Sequence, residues 1–219
     1  MKKASINREN IQKMVNSFNK RAKEWDLESR RVQNAKAIAE VICKNIPLNK
    51  DMQIIDFGVG TGLLSYFLSD KVRKVVGIDN SINMLEVFKS KKDDFKCQIE
   101  AKNLDIFNHN LTEKYDAIIS SMTLHHIKDI KKLFEAFYKL LKPDGYIALA
   151  DLESEDGSFH SDNTGVEHFG FDFNELSKIA KEAGFTDIKV EYANSINKPN
   201  REYIVNLLVA KKSIKPIFD

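Results

Sequence analysis

Short apolar segments alternate with segments of helical spacing between residues 52 and 150. Five of them have the length and apolar character of β-strands: Met52–Phe57, Lys74–Ile78, Lys96–Lys102, Tyr115–Ser121 and Tyr146–Ala150. Helical spacing fills the intervals at Leu63–Leu68, Ile82–Phe88 and Lys131–Leu141. Strands that are joined through helices pair in parallel and carry helices on both faces of their sheet. The alternation predicts an α/β fold with a doubly wound, mostly parallel sheet.

The alternation stops near the C-terminus. A helix predicted at Phe173–Ala183 is followed by two strand-like segments, Asp187–Tyr192 and Tyr203–Ala210. The link between them, Ala193–Arg201, is too short for the crossover that parallel strands need, so these two strands should pair antiparallel. The sequence therefore predicts a seven-stranded sheet that ends in a C-terminal antiparallel hairpin.

The first 47 residues have a different character from the rest. Apolar residues recur at helical spacing from about Arg8 to Ile46, with a break near Trp25 and Asp26, and Pro47 ends the segment. The chain has 219 residues, which suits one large domain with an addition. We predict an N-terminal helical cover over residues 1–47 and one compact ligand-binding domain over residues 48–219.

Composition and charge exclude several classes of protein. The net charge is +2, which is too balanced to indicate nucleic acid as a general partner. No apolar segment approaches the about 20 residues of a membrane-spanning helix, and none follows the basic N-terminus as in a secretory signal. Cys43 and Cys97 lie far apart and outside any CxxC motif, which indicates reduced thiols. We expect a cytoplasmic protein without a membrane or DNA partner; the sequence makes no prediction of oligomeric state.

A glycine-rich turn follows the first predicted strand. Gly58, Gly60 and Gly62 come directly after Asp56, in the spacing Gly-x-Gly-x-Gly. Glycines let a ligand lie against the backbone, and ligands of open α/β sheets bind at the carboxyl ends of the strands. The spacing differs from the Gly-x-Gly-x-x-Gly that binds a dinucleotide pyrophosphate, and the turn has no Lys or Arg to bind phosphate. A tight strand–helix turn without a ligand is the alternative.

Acidic residues follow the second and third predicted strands. Asp79 ends the second strand, where a carboxylate accepts hydrogen bonds from the hydroxyls of a ribose. Asp105 follows the third strand, where a carboxylate can accept from the amino group of adenine. The alternatives are a solvated strand end for Asp79 and an Asx turn for Asp105.

Four segments, in this order, resemble the class I S-adenosylmethionine (SAM) dependent methyltransferases over roughly residues 50–210. They read I-I-D-F-G-V-G-T-G, V-V-G-I-D-N-S-I-N-M-L, Y-D-A-I-I-S-S-M-T-L-H-H-I and L-L-K-P-D-G-Y-I-A-L-A-D. The segment from Phe18 to Asp26 is similar to the F-x-x-x-A-x-x-[YW]-D segment of ubiquinone and menaquinone methyltransferases. The resemblance implies a Rossmann-like fold, SAM as cofactor, S-adenosylhomocysteine (SAH) as product, and in-line methyl transfer to a small-molecule acceptor.

The resemblance also implies a role for each matching residue of the cofactor site. Asp56 helps to place the amino group of methionine, and Asp79 accepts hydrogen bonds from the ribose hydroxyls. The other residues line the cofactor: Gly58, Gly60 and Gly62 on the methionine and ribose side, Asn80 and Met84 beside the adenine, Leu104 and Asp105 at the adenine edge, and Ser121 and Met122 near the sulfonium.

Candidate catalytic residues follow the fourth and fifth predicted strands. His125 and His126 lie where the transferred methyl group is expected, so either could act as a base or orient the acceptor. After the fifth strand, Glu153 and His160 belong to a segment that offers further polar groups. We prefer His125 with Glu153 as the pair that positions the acceptor; a structural role for the histidine pair is the alternative.

The segment from residue 151 to 175 has eight acidic residues and no Lys or Arg. Like charges raise the local negative potential, so we expect a neutral or cationic acceptor; a solvated loop is the alternative. The spacing of His160 and His168 matches no common metal-ligand pattern, so no metal is expected.

Two other functions remain open from the sequence. A Rossmann oxidoreductase that uses NAD(P) is disfavoured by the glycine spacing and the antiparallel end. A non-catalytic SAM-binding module is compatible with the same residues, because a fold does not establish an activity. Ser120–Thr123 stands where base-methylating enzymes have an Asn/Asp-Pro-Pro-aromatic motif, which disfavours methylation of DNA and RNA bases. The basic N-terminal region leaves an RNA acceptor open as an alternative.

Overall fold

A computed structural model describes residues 12–13, 15–16, 18, 20, 22–107, 111–199 and 201–213. In this part of the chain, seven strands form a sheet in the order β3-β2-β1-β4-β5-β7-β6. The strands are β1 (Gln53–Phe57), β2 (Lys74–Ile78), β3 (Gln98–Lys102), β4 (Tyr115–Ser121), β5 (Leu141–Leu152), β6 (Thr186–Lys198) and β7 (Arg201–Lys211). The first five pair in parallel, and β7 pairs antiparallel with β5 and β6. The predicted doubly wound α/β sheet with an antiparallel C-terminal hairpin is confirmed.

Helices cover both faces of the sheet. They are α1 (Ser29–Asn45), α2 (Leu63–Leu68), α3 (Ile82–Ser90), α4 (Ile130–Leu140) and α5 (Phe173–Glu182), with short 3-10 helices at Ala22–Leu27, Lys92–Asp94 and Leu124–His126. The side chains of Ser81, Asp129 and Asp172 accept hydrogen bonds from the first turns of α3, α4 and α5. These polar caps set where the three helices begin, because they satisfy backbone N–H groups that have no partner within the helix.

The sheet separates two apolar cores. Neighbouring residues of β1 point to opposite faces, so Ile54 packs with α1 while Ile55 packs with α4 and α5. Both side chains are fully buried. A strand that is buried on both faces has no polar alternation, which explains the continuous apolar character of β1, β2 and β4 in the sequence.

The C-terminal hairpin is longer than the sequence predicts. The predicted strands ended at Tyr192 and began at Tyr203, whereas the observed ladder continues from Ser195↔Ile204 to Lys198↔Arg201. The added residues are mostly polar because β6 is an edge strand, so their pattern does not resemble a strand. The extension brings the hairpin tip to α1, where Arg30 Nη1 donates to the carbonyl of Asn197 at 3.4 Å.

The described part of the N-terminal segment contains a short 3-10 helix that precedes α1. The expected break near Trp25 and Asp26 lies within the 3-10 helix Ala22–Leu27. Ile38 and Ile42 of α1 are fully buried in the core on one face of the sheet. The helix α1 therefore packs as part of the main core, although the sequence placed it in the cover. Most of residues 1–21 lies outside the described residues, and the boundary at residue 47 stays a prediction.

Among the described residues, no helix combines the length and the apolar composition that crossing a membrane requires.

The fully buried ring of Phe137 provides a test of this packing. It meets the ring of Phe57 edge-on at 5.3 Å between centroids, which joins α4 to β1. We expect Phe137→Ala to lower the free energy of unfolding by about 3–5 kcal/mol, measured by denaturant titration. The exposed neighbour on the same helix supplies the control, because Glu135→Ala should change stability by less than about 0.5 kcal/mol. Equal effects of the two substitutions would contradict the described packing.

Candidate active site

A cavity of about 1780 Å³ opens at the carboxyl ends of β1, β2 and β4. Its position follows from the strand order, because β2 and β4 lie on opposite sides of β1 and leave a crevice where the order reverses. The volume exceeds the roughly 300–1,000 Å³ of an ordinary small-molecule pocket. The cavity therefore has room for two ligands side by side.

The glycine-rich turn after β1 forms one wall of the cavity. Gly60 has a positive φ of 53°, and a Cβ added there would meet no protein atom within 4 Å, so the position is open toward the cavity. Gly62 instead begins α2 at φ 86°, and a Cβ there would collide with the ring of Phe88. Gly58 also lines the cavity, whereas Gly62 does not. Gly62 thus needs to be glycine because of the tight turn and the packing of α3.

Asp79 lies beside this turn at the end of β2. Its Oδ2 accepts from the backbone N–H of Gly60 and its Oδ1 from that of Ser81, both at 2.8 Å. Burial raises the pKa of Asp79, and the two backbone hydrogen bonds oppose that rise. A carboxylate has about four acceptor sites, so Asp79 has sites left for a ligand in the cavity.

Asp56 is the most buried carboxyl group of the cofactor side, at 2% exposure. Burial raises its pKa to about 7, and the hydrogen bond that Asp56 accepts from Ser65 Oγ at 2.5 Å counteracts part of this rise. A cationic ligand group beside Asp56 would favour the ionised form. The position suits the ammonium group of an amino acid.

The remaining cofactor candidates meet around the same cavity. Asp105 Oδ1 accepts from the backbone N–H of Phe107 at 2.9 Å, so the Asx turn that was the alternative is present, and the residue still lines the cavity. Met122 has a positive φ of 56° where the chain leaves β4, which is unusual for a residue other than glycine. The structure places these predicted residues on the wall: Asn80, Met84, Leu104, Asp105, Ser121 and Met122. Their roles toward a cofactor stay predictions.

A buried histidine–carboxylate pair joins the ends of β4 and β5. His125 Nδ1 lies 2.7 Å from Asp151 Oδ1, and the backbone N–H groups of His125 and Leu152 also donate to that carboxylate. Exposure is 2% for His125 and zero for Asp151. Burial alone would raise the pKa of Asp151, but the adjacent imidazole and these hydrogen bonds outweigh it and hold the pKa below its ordinary value. Among the described residues, His125 Nε2 has no hydrogen-bond partner.

Three further histidines of the described residues lie near this pair. His126 Nδ1 donates to the carbonyl of Gly165 at 2.8 Å, and burial beside His125 lowers the pKa of His126 to about 3, so its ring is neutral at pH 7. The ring of His160 lies 5.0 Å from that of His125. His168 Nε2 donates to the carbonyl of Ile127 at 3.0 Å. In the described residues, no group of three or more His, Cys, Asp or Glu side chains has an arrangement that could hold a metal ion.

The structure does not bring Glu153, which the sequence analysis prefers as the second residue that positions the acceptor, to the cavity beside His125. Glu153 is exposed and absent from the cavity wall. It lies just beyond the end of β5, where its backbone N–H donates to the carbonyl of Ile204. Asp151 takes the place assigned to Glu153. The sequence contained a usable signal, because β4 and β5 are parallel neighbours and residues at their carboxyl ends come together.

The acidic segment after β5 is largely occupied with protein contacts. Six of its eight acidic side chains have partners: Asp151 with His125, Glu155 with the N–H groups of Ser158 and Phe159, Asp156 with Arg201, Asp162 with the N–H of Thr164, Asp172 as the cap of α5, and Glu175 with Lys178. The backbone contacts hold the loop in place without neutralising its carboxylates, whereas Asp156 and Glu175 form ion pairs with Arg201 and Lys178.

A contact that the sequence analysis missed ties the N-terminal segment to the cavity wall. Asp26 Oδ1 accepts from Thr61 Oγ1 at 2.5 Å, and Asp26 Oδ2 pairs with Lys91 Nζ at 2.6 Å. Thr61 lies between Gly60 and Gly62 in the glycine-rich turn. Trp25, next to Asp26, lines the cavity. The N-terminal segment is thereby bonded to the turn that forms the cofactor side.

Comparison with known proteins identifies the class. A family model described as "Methyltransferase domain" matches residues 27–190. An uncharacterized methyltransferase of Schizosaccharomyces pombe is 33% identical over 64% of this chain and 55% of its own length. Phosphoethanolamine N-methyltransferase 1 of Arabidopsis thaliana is 29% identical over 66% of this chain and 30% of its own. The ubiquinone biosynthesis O-methyltransferase of Pelagibacter ubique is 28% identical, covering 75% of this chain and 72% of that one.

A solved structure supports the same fold. Phosphoethanolamine N-methyltransferase 2 of Haemonchus contortus, in complex with phosphomonomethylethanolamine and SAH, superposes with a TM-score of 0.66. The match covers 80% of this chain and 52% of that one at 19% sequence identity, which shows the fold alone.

The fold and the site define a Rossmann-like methyltransferase of the class that uses SAM as cofactor. The chain belongs to the methyltransferase-domain family. This membership removes the basis for the oxidoreductase alternative. The chain spans 55% of the fission yeast relative and 30% of the Arabidopsis enzyme.

The cofactor wall can be tested by calorimetric titration with SAM. We expect Asp79→Ala and Gly60→Val each to weaken binding at least about tenfold, or about 1.4 kcal/mol. The first removes a charged acceptor, and the second puts a branched side chain into the cavity at a positive φ. Asp93→Ala is the control, because Asp93 is exposed outside the cavity and should leave affinity unchanged. Wild-type affinity in both folded wall variants would contradict the cofactor assignment.

The bond between Asp26 and the turn has its own test. Asp26→Asn keeps the shape of the side chain but removes the charge that Lys91 and Thr61 contact. Because the ion pair is partly exposed, we expect SAH to bind only about two- to fivefold more weakly and to dissociate faster, as measured by stopped-flow. Asp70→Asn removes a comparable ion pair, with Lys71, away from the cavity. Equal rates of SAH dissociation from Asp26→Asn and Asp70→Asn would show that Asp26 does not influence the site.

Proposed function

We propose that the protein transfers the methyl group of SAM to a small-molecule acceptor and that His125 is its general base. The observation that carries this proposal is the buried pair of His125 and Asp151, of which His125 lines the cavity. Because the chain spans only part of its first relatives, the activity of the whole protein is part of the proposal.

The residues of the glycine side suit the cofactor. Bound SAM would supply an electrophilic methyl group on a sulfonium, and its lack of phosphate agrees with a turn that has no Lys or Arg. Asp56 would hold the ammonium of the methionine part, and Asp79 would accept from the ribose hydroxyls. Gly60 would let the ligand lie against the backbone, because its position is open to the cavity.

Asp151 would select the tautomer of His125. Its carboxylate accepts from Nδ1–H, which leaves the lone pair of a neutral imidazole on Nε2. Asp151 would also stabilise the imidazolium that forms when Nε2 takes a proton, as the carboxylate does in other histidine–carboxylate pairs. This arrangement serves an acceptor whose reacting oxygen or nitrogen bears a proton, and the proton would pass to Nε2 as the acceptor is methylated.

Apart from removing a proton, the protein would promote methyl transfer mainly by orienting the acceptor. The acceptor atom needs to lie about 3 Å from the methyl carbon and in line with the bond that breaks. The rings of His126 and His160, packed around His125, would narrow the cavity there. The side chains of Phe18 and Trp25 line the same cavity and would exclude water from it.

The relatives support a small molecule as acceptor. Their names give two chemistries, the amine of phosphoethanolamine and an oxygen in ubiquinone biosynthesis. Both acceptors bear a proton that must leave at some stage of methyl transfer, which agrees with a histidine base. A cytoplasmic location completes the proposal, supported by the two isolated cysteines, which carry no disulfide.

Substitution of the pair tests the catalytic part. With methyl-labelled SAM and a panel containing phosphoethanolamine and phenolic acceptors, we expect His125→Asn and Asp151→Asn to lower turnover about 10²-fold or more. SAM affinity should stay within about twofold, because neither residue lies on the cofactor side. Glu153→Gln is the matched control and should retain full turnover, since Glu153 does not line the cavity.

Three results would count against the proposal. Full turnover of His125→Asn would remove the base. Equal losses for Glu153→Gln and Asp151→Asn would contradict the assignment of the carboxylate. SAM binding without methyl transfer to any member of a wide metabolite panel would favour the non-catalytic module.

A further inference from the structure

Two cationic side chains line the cavity near the β6–β7 hairpin. Lys198, at the tip of β6, places Nζ 4.2 Å from the ring centroid of Phe159 and 5.6 Å from that of Tyr203. Its ammonium donates to the carbonyl of Phe159. Arg30, at the start of α1, reaches the neighbouring Asn197. Both Lys198 and Arg30 line the cavity.

The charge of Lys198 is not neutralised by contact. No carboxylate in the described part of the chain lies within 4.0 Å of its Nζ, although Glu28 and Glu155 are near. Glu28 pairs instead with Arg30 and Arg31, and Glu155 accepts from backbone N–H groups. Burial and the nearby Arg30 lower the pKa of Lys198, so an anion bound beside it would relieve an unfavourable charge.

The position of Lys198 places it on the acceptor side. The rings of His125, His160 and Phe159 form a continuous row, with centroids 5.0 Å and 4.8 Å apart, and Lys198 lies over the last of them. The row leads from the proposed base toward the β6–β7 hairpin. Asp56 and Asp79 lie instead at the carboxyl ends of β1 and β2.

We propose that Lys198, assisted by Arg30, binds an anionic group of the acceptor, a phosphate or a carboxylate. The acceptor would then have its methyl-accepting atom beside His125 and its anion at the hairpin tip. This inference rests on the proposed function, and it replaces the neutral or cationic acceptor expected from the acidic segment. The reason is position, because Lys198 and Arg30 line the cavity whereas Glu153, Glu155 and Asp156 of the acidic segment do not.

Binding of small anions to the SAH-saturated protein tests the subsite. The probes are inorganic phosphate and acetate, titrated calorimetrically at constant ionic strength, and their comparison distinguishes a phosphate from a carboxylate. We expect at least one of them to bind the wild type and to bind Lys198→Gln at least about tenfold more weakly. Lys198→Arg should retain binding, because the charge is kept.

Lys189→Gln is the matched control. Lys189 lies on the same strand, is exposed and does not line the cavity, so its loss should leave anion affinity unchanged. SAH affinity should be the same in all four proteins. Loss of SAH binding in Lys198→Gln would indicate that Lys198 binds the carboxylate of the cofactor, and it would overturn the proposal. Equal anion affinity of Lys198→Gln and Lys189→Gln would also overturn the proposal, as would the absence of anion binding to the wild type.

The same titrations without SAH separate this inference from the proposed function. The protein could bind anions through Lys198 and yet neither bind SAH nor transfer methyl groups. That result would contradict the proposed function while still supporting the anion site. Methyl transfer with no dependence of anion binding on Lys198 would contradict the anion site alone.

Discussion

The parallel pairing of β4 with β1 on one side and β5 on the other is the constraint on which the site depends. Ser120 stands opposite Phe57 and donates to its carbonyl at 2.7 Å, while Ser121 stands opposite Ala150. Because the three strands run in one direction and in this register, their carboxyl ends meet. The glycine-rich turn follows β1, the histidines His125 and His126 follow β4, and Asp151 lies near the end of β5. Gly60 and His125 therefore line one cavity, and Asp151 contacts His125.

Charge is distributed unevenly along that cavity. Carboxylates lie at the ends of β1 and β2, a histidine–carboxylate pair lies at the middle, and cations lie at the tip of the C-terminal hairpin. A ligand with an ammonium and a sulfonium suits the first part, and one with an anion suits the last. The reacting atoms would then meet near His125, which is only 2% exposed.

Much of this organisation is readable without coordinates. The β–α alternation, the antiparallel end and the glycine-rich turn each have a local pattern that depends on few neighbours. The carboxyl-end rule then predicts that Asp56, Asp79 and His125 share one edge of the sheet. The carboxylate that contacts His125 is Asp151, two residues before Glu153. Strand ends that are predicted from a sequence are uncertain by a residue or two. Which carboxylate reaches the nitrogen of His125 depends on the register of β5 against β4, which the sequence does not give.

The sequence by itself determined the fold class, the family and the cofactor, since periodicity and short motifs specify them locally. Only the tertiary structure decided which carboxylate contacts His125, that Asp26 bonds to the glycine-rich turn, and that Lys198 faces the cavity. Each of these is a contact between residues more than 20 positions apart. The distances in these contacts depend on the strand register, on the length of the polar edge hairpin and on the packing of α1. A local pattern in the sequence specifies none of these three features.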